Sequence, residues 1–146
     1  VSSIVARWAS PTLGPLGTKT TYSRGESYAA SKLSNLLFAL ELQRRFGSNI
    51  FSSVAAHPGF ARAEPYGPQS TRFFESFLAQ SAAQGALPII EAAASKTVAG
   101  GSYRVPRTLE LWGAPKPGKI PKSCTLENQE KNWEILEMLS GRKLTL

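Results

Sequence analysis

Residues 25–47, GESYAASKLSNLLFALELQRRFG, read as one long helix with a phenol and an ammonium near its start. Leu33, Leu36, Leu37 and Leu40, joined by Phe38, recur at helical spacing and make an apolar surface. Ser27 is the expected N-cap, the helix is expected from Tyr28 to about Phe46, and Gly47 stops it. Tyr28 and Lys32 lie four residues apart, so they share one face. A helix that is apolar along one side must lie against something, and its neighbours in sequence say what.

Upstream, Val1 to Ser3 reads as the end of a strand, followed by a breaker-rich loop, ASPTLGPLGTKTTYSRGES, over residues 9–27. Downstream, NIFSSVAAH (49–57) reads as a buried strand bounded by Gly47 and by Pro58-Gly59. Residues 60–69 form a loop. STRFFESFLAQS (70–81) and AAQGALPIIEAAAS (82–95) are expected helices, with Pro88 tightening or kinking the second. Gly100-Gly101 introduces the short strand SYRVP, and a Pro/Gly/Lys loop over 113–123 leads to a terminal helix. In that helix, LENQEKNWEILEMLSG, Trp133, Leu136 and Leu139 are expected to face inward. This alternation of strands and helices predicts an α/β domain with a parallel sheet covered by helices.

Composition excludes several classes. The 146 residues suffice for one core. No apolar run approaches the roughly 18 residues of a membrane span. The first residues lack the basic and apolar regions of a signal peptide and read as a strand entered partway. One cysteine, Cys124, allows no internal disulfide, and one Cys with one His argues against a metal cluster. The expectation is a reducing, cytoplasmic setting. Net charge is +7, yet aspartate is absent and the basic residues are scattered in small groups, so nucleic acid is not an expected partner. All ten acids are glutamates, and the four from Glu127 to Glu137 fit the solvated side of the terminal helix.

The pair at Tyr28 and Lys32 admits two readings: an ordinary amphipathic start to a core helix, or acid–base chemistry. A phenol working near neutral pH must overcome an ordinary pKa of about 10. A nearby ammonium favours the phenolate, but lowering such a pKa by about three units needs about 4 kcal/mol, and one exposed pair supplies a few tenths. A second cation or a dry pocket must contribute, and an oxidised nicotinamide would bring both. Holding a substrate oxygen also needs a hydroxyl donor, which Ser3 can offer from the end of a strand, where α/β sheets place ligands.

VSS at 1–3, YAASK at 28–32 and VAAHPG at 54–59 occur in the order of the short-chain dehydrogenase/reductase family, which the chain resembles. The long Ser3-to-Tyr28 spacing, SKLSNLLFALELQRRF and HPGFA resemble its retinol-dehydrogenase-like and protochlorophyllide-reductase-like branch. The resemblance covers nearly the whole chain and is tightest over residues 1–64. It implies the C-terminal half of a Rossmann-like, doubly wound parallel sheet, without the Gly-rich first half. Residues 1–64 would carry the catalytic motifs, 65–98 substrate-lid helices, and 99–146 the last strand and helix. It implies that Tyr28 exchanges a proton with a carbonyl or alcohol oxygen, and that Lys32 favours the ionised phenol and bonds the nicotinamide ribose. Ser3 would position the same oxygen, with Ser2 the competing choice. Pro58, Gly59 and Phe60 would form the turn approaching the nicotinamide carboxamide. The implied cofactor is NADP or NAD, with NADP favoured; the partner is a small carbonyl or alcohol compound, and an oligomer is allowed.

The family's Gly-rich turn and its helix-borne asparagine have no counterpart here, and Ala63 stands where a Thr or Ser is common. His57, the one histidine, could be a catalytic base or the end of a buried strand, and the structural reading is favoured. Trp112 and Trp133 fit core or lid positions. Phe60, Tyr66, Phe73, Phe74 and Phe77 suit an apolar substrate lid or a helix anchor equally. The rival to an enzyme is a truncated, non-catalytic remnant that serves as a binding or dimerising module. As an isolated chain, the 146 residues are expected to associate and to be inactive.

Overall fold

The computed structural model describes residues 1–10, 23–47, 51–62 and 78–144. Helix α1 spans Arg24–Phe46 and begins one turn before the expected start. The Ser27 amide donates to the Ser23 carbonyl at 2.9 Å, so Ser27 lies inside the helix and Ser23 is the N-cap. Leu33, Leu36, Leu37 and Leu40 are buried, each worth roughly 1.5–3 kcal/mol of removed apolar surface. Phe38 stays partly exposed but stacks on Trp133, with centroids 5.5 Å apart and planes at 8°.

Among the described residues the sheet has three strands in the order β1 (Ala55–Ala56), β2 (Tyr103–Thr108), β3 (Trp112–Pro117). β1 and β2 are parallel, and backbone bonds extend their pairing from Ser53 to His57. β3 runs antiparallel to β2, which corrects the all-parallel expectation. It also corrects the loop reading of 113–123, because residues 113–117 belong to this strand. Pro115 and Pro117 are compatible with it because an edge strand leaves some amides unpaired. The β2–β3 turn places Leu109 (φ 51°) and Glu110 (φ 60°) in the left-handed region, as primed hairpin turns do, without the usual Gly or Asn.

Val1 to Ser3, expected as a strand end, form no strand among the described residues, because one backbone bond alone joins them to the outer side of β1, Ser2 N–H to the Ala56 carbonyl at 2.8 Å. The chain then turns into a short 3-10 helix, Ile4–Arg7. Helix α2 (Ala82–Ala94) begins at a reciprocal capping box between Ser81 and Gln84, with Pro88 buried within it. Helix α3 (Leu126–Ser140) is capped by Thr125 and ends at Gly141, φ 65°. Asn132 and Trp133 are its buried residues, and Ile135 packs against the core. Leu139 is 51% exposed, so the expectation that it faces inward is wrong.

Side chains alternate across β2. Tyr103 and Val105 join the core under α1, with Ala6, Ala55 and Cys124. Arg104 points the other way, to a two-point bond with Glu91 of α2 at 2.8 and 2.7 Å. Helices therefore cover both faces. Of the expected helix over 70–81, residues 70–77 lie outside the described residues, as do most of the loop over 9–27 and the greater part of the lid segment. Residues 79–81 do not form the expected helix, because Gln80 bridges to Ala61 and Ser81 is the extended N-cap of α2.

Candidate functional site

Tyr28 and Lys32 stand one turn apart in α1, beyond its first turn. The Lys32 Nζ lies 5.4 Å from the Tyr28 ring centroid, within cation–π range. Tyr28 is 51% exposed and lines an open depression of about 580 Å³ with Arg24, Gly25 and Ser27. Lys32 forms no ion pair among the described residues, so its ammonium is available to a ligand.

The two serines have different surroundings. Ser2 is buried, and its hydroxyl donates to the Lys32 carbonyl at 2.8 Å. Asn35 Nδ2 donates to the Val1 carbonyl at 3.0 Å. Together these bonds hold residues 1–2 against the helix carrying Tyr28 and Lys32. Ser3 is half-buried at the N-cap of the 3-10 turn, and its hydroxyl makes no capping bond. The hydroxyl already committed is that of Ser2.

The Pro58-Gly59 turn leaves β1 beside residues 1–3, since Ser2 pairs with Ala56. Gly59 has φ +72°, and a Cβ there would lie 2.4 Å from the Leu111 carbonyl oxygen and 2.7 Å from Pro106 Cγ. Its N–H donates to His57 Nδ1 at 2.9 Å, and the Phe60 N–H donates to the Leu111 carbonyl at 2.9 Å. Gln80, buried, donates from Nε2 to the Pro58 carbonyl at 2.8 Å, while its Oε1 accepts from the Gly113 N–H at 3.1 Å. The turn is thus rigid, and the amides of Gly59 and Phe60 are engaged internally. Phe60 itself is 38% exposed.

His57 is wholly buried, with its ring tilted against Tyr103 at 5.6 Å, in accord with the structural reading. Burial pushes its pKa below the ordinary histidine value, opposed by the nearby Glu110 carboxylate. Tyr103, the competing phenol, is pushed up to about 12 by burial, and the buried Cys124 thiol to about 11. Burial keeps both protonated near neutral pH, and among the described residues Tyr28 is the exposed phenol. No group of three or more metal-ligating side chains occurs among the described residues. Nor is any helix of the described residues long and apolar enough to cross a membrane.

Sequence reasoning missed Gln80 and the Arg7–Glu110 pair. Arg7 grips Glu110 at 2.8 and 2.6 Å across 103 positions of sequence, and no local pattern announces such a contact.

The site residues suit the nicotinamide end of a dinucleotide. An ammonium and an exposed phenol share one helix face, the Ser3 hydroxyl makes no capping bond at the start of the 3-10 turn, and a glycine turn has no room for a Cβ. The described residues include no Gly-rich turn opening a helix that could take a pyrophosphate.

No protein-family model matches the chain. Among curated proteins it is similar to retinol dehydrogenase 14 of Mus musculus, 30% identical over an alignment of 156 positions covering 97% of this chain and 43% of that one. It is also similar to retinol dehydrogenase 12 of Homo sapiens, 38% identical over 64 residues, which are 44% of this chain and 20% of that protein. The chain therefore spans less than half the length of the curated relatives it matches. Among solved structures, the crystal structure of an uncharacterised protein from Mycobacterium paratuberculosis matches with a TM-score of 0.74 at 28% identity. That match covers 99% of this chain and 50% of the other.

Proposed function

Starting from a chain whose homologues are retinol dehydrogenases of the short-chain dehydrogenase/reductase family, we propose that it carries the catalytic residues of a nicotinamide-dependent oxidoreductase acting on a carbonyl or alcohol compound. The fold is then the C-terminal half of a doubly wound Rossmann-like domain, and β1 and β2 are two of its parallel strands. The observation that carries the reading is the Tyr28–Lys32 pair, with residues 1–3 fastened to its helix by Ser2 and Asn35.

NADP or NAD, when bound, supplies or accepts the hydride at the substrate carbon. Tyr28 holds or takes the proton at the substrate oxygen through its phenolic hydroxyl. Lys32, whose ammonium lies 5.4 Å from the Tyr28 ring centroid, would bring a positive charge to that phenol and bond the ribose hydroxyls. Ser3 donates to the same substrate oxygen and orients it, while Ser2 keeps residues 1–2 fastened to α1 through the Lys32 carbonyl. Pro58, Gly59 and Phe60 form the wall against the nicotinamide. Since the amides of Gly59 and Phe60 have internal partners, their part is shape and exclusion of water rather than donation.

The second reading, a non-catalytic binding or dimerising module, is favoured by one feature: Tyr28 is half exposed, so the described residues alone do not form a dry pocket around it. Joining residues 1–146 to the remainder of mouse retinol dehydrogenase 14, in place of the matching segment, separates the two. NAD(P)H-linked turnover of a carbonyl or alcohol panel supports the enzyme. A folded chimera that binds NAD(P)H but turns over nothing supports the module.

A further inference from the structure

His57 closes β1, and its Nδ1 accepts the N–H of Gly59, two residues on. That is the geometry of an Asx turn, in which a short side chain bonds the backbone two positions ahead, with an imidazole replacing the usual carboxylate or amide. A nitrogen that accepts a hydrogen bond carries no proton, so the neutral ring holds its proton on Nε2. Nε2 faces Glu110 Oε2 at 3.7 Å and has no hydrogen-bond partner. We propose that His57 is a positioning residue: as a neutral Nε2–H imidazole it latches the Pro58–Phe60 turn, and acid opens the latch.

Protonation would put a hydrogen on Nδ1, setting two donors against each other at the Gly59 amide. Gly59 has little room to yield, with φ at +72° and the Leu111 carbonyl and Pro106 ring against it. The charges around the ring come from three sides. Glu110, in the β2–β3 turn, favours the imidazolium. Arg7, from the 3-10 turn, opposes it and also neutralises Glu110. On β2, Tyr103 is uncharged near neutral pH, and Arg104 points to the other face, where Glu91 holds it. Burial outweighs Glu110, so the folded ring is harder to protonate than a free histidine. The latch is therefore closed at neutral pH and opens as pH falls below the ordinary histidine value. Any consequence for nicotinamide binding rests on the proposed function; the latch itself does not.

Because the chain has one histidine, its imidazole nitrogens give one unambiguous pair of NMR signals. In the 146-residue chain at pH 7.5, Nδ1 is expected unprotonated and Nε2 protonated. On acidification Nδ1 gains its proton, and the protection of the Gly59 amide, taken relative to the intrinsic exchange rate at each pH, falls in step by about tenfold, the worth of one ordinary hydrogen bond. In His57→Leu the Gly59 amide should show low protection at every pH. His57→Asn, whose side-chain oxygen can form the Asx turn, should stay protected at every pH and so restore the turn without the switch. A proton on Nδ1 at pH 7.5, or Gly59 protection in His57→Asn that falls with pH as it does in the parent, would overturn the proposal. If His57→Leu fails to fold, the parent and His57→Asn profiles still decide it. NADPH affinity of the chimera, measured across the same pH range, tests the cofactor reading separately. A working latch with no effect on affinity counts against that reading alone.

Discussion

Gly59 shows how much one residue can fix. Its positive φ and the carbonyl and proline ring beside it exclude any side chain. Gly59→Ala should therefore lower unfolding stability by at least about 1–3 kcal/mol from backbone strain, read from urea denaturation. Glu41 makes a second case at this scale. Its carboxylate is fully buried and held by Arg44 at 2.8 and 2.6 Å and by Arg45. The Arg44 hydrogen bonds outweigh the effect of burial and keep its carboxyl below the usual 4.5. A folded pKa below the unfolded one gives stability that is full above about pH 4.5 and lost as pH falls through the folded value. Denaturant midpoints between pH 6 and pH 3 should decline less steeply in Glu41→Gln than in the parent. Equal slopes would show that the carboxylate charge is not what the arginines hold. Tyr28, Lys32 and the Pro58-Gly59 turn were legible in the sequence because their chemistry sits within a few residues. Gln80 was not, since its two bonds reach positions 58 and 113.

At the scale of elements, the leucine spacing made α1 legible, while its first turn was hidden. Gly25 and Ser27 are weak helix formers, yet the helix runs through both from Arg24. β3 was hidden for the opposite reason, because Pro115 and Pro117 read as breakers and only the edge position tolerates them. α2 and β2 are joined by the Glu91–Arg104 pair, in which the Arg104 side chain is 11% exposed and that of Glu91 31%. Removing one partner strands the buried charge, whereas replacing both does not. Glu91→Ala is expected to cost about 1–3 kcal/mol, below the range for a fully buried pair because water reaches Glu91. The double variant Glu91→Ala, Arg104→Met should be more stable than Glu91→Ala alone. A double variant as unstable as the sum of its single changes would mean that the two side chains do not act as a pair.

At the scale of the whole molecule, helices on both faces and a β1–β2 parallel pair agree with the α/β reading, and the antiparallel β3 refines it. The strand order could not be read from the sequence, because neighbours in a sheet are set by long-range packing. Among the described residues one backbone bond, from Ser2, joins the outer side of β1, and an edge so lightly paired invites pairing between copies. The 146-residue chain alone is expected to self-associate in sedimentation velocity and to show no calorimetric binding of NADPH or NADH. A monodisperse monomer that binds either at micromolar affinity would contradict the half-domain reading.

The central claim is that Tyr28 moves the proton while Lys32 serves both proton and cofactor. Its most direct test is the turnover of Tyr28→Phe in the chimera with mouse retinol dehydrogenase 14, with NAD(P)H affinity measured on the same protein. In Tyr28→Phe, kcat is expected to fall by about 10²–10⁴ while the cofactor Kd stays within a few-fold of the parent. A Tyr28→Phe enzyme that keeps its activity within about tenfold of the parent, below the usual worth of a general acid–base group, would contradict it.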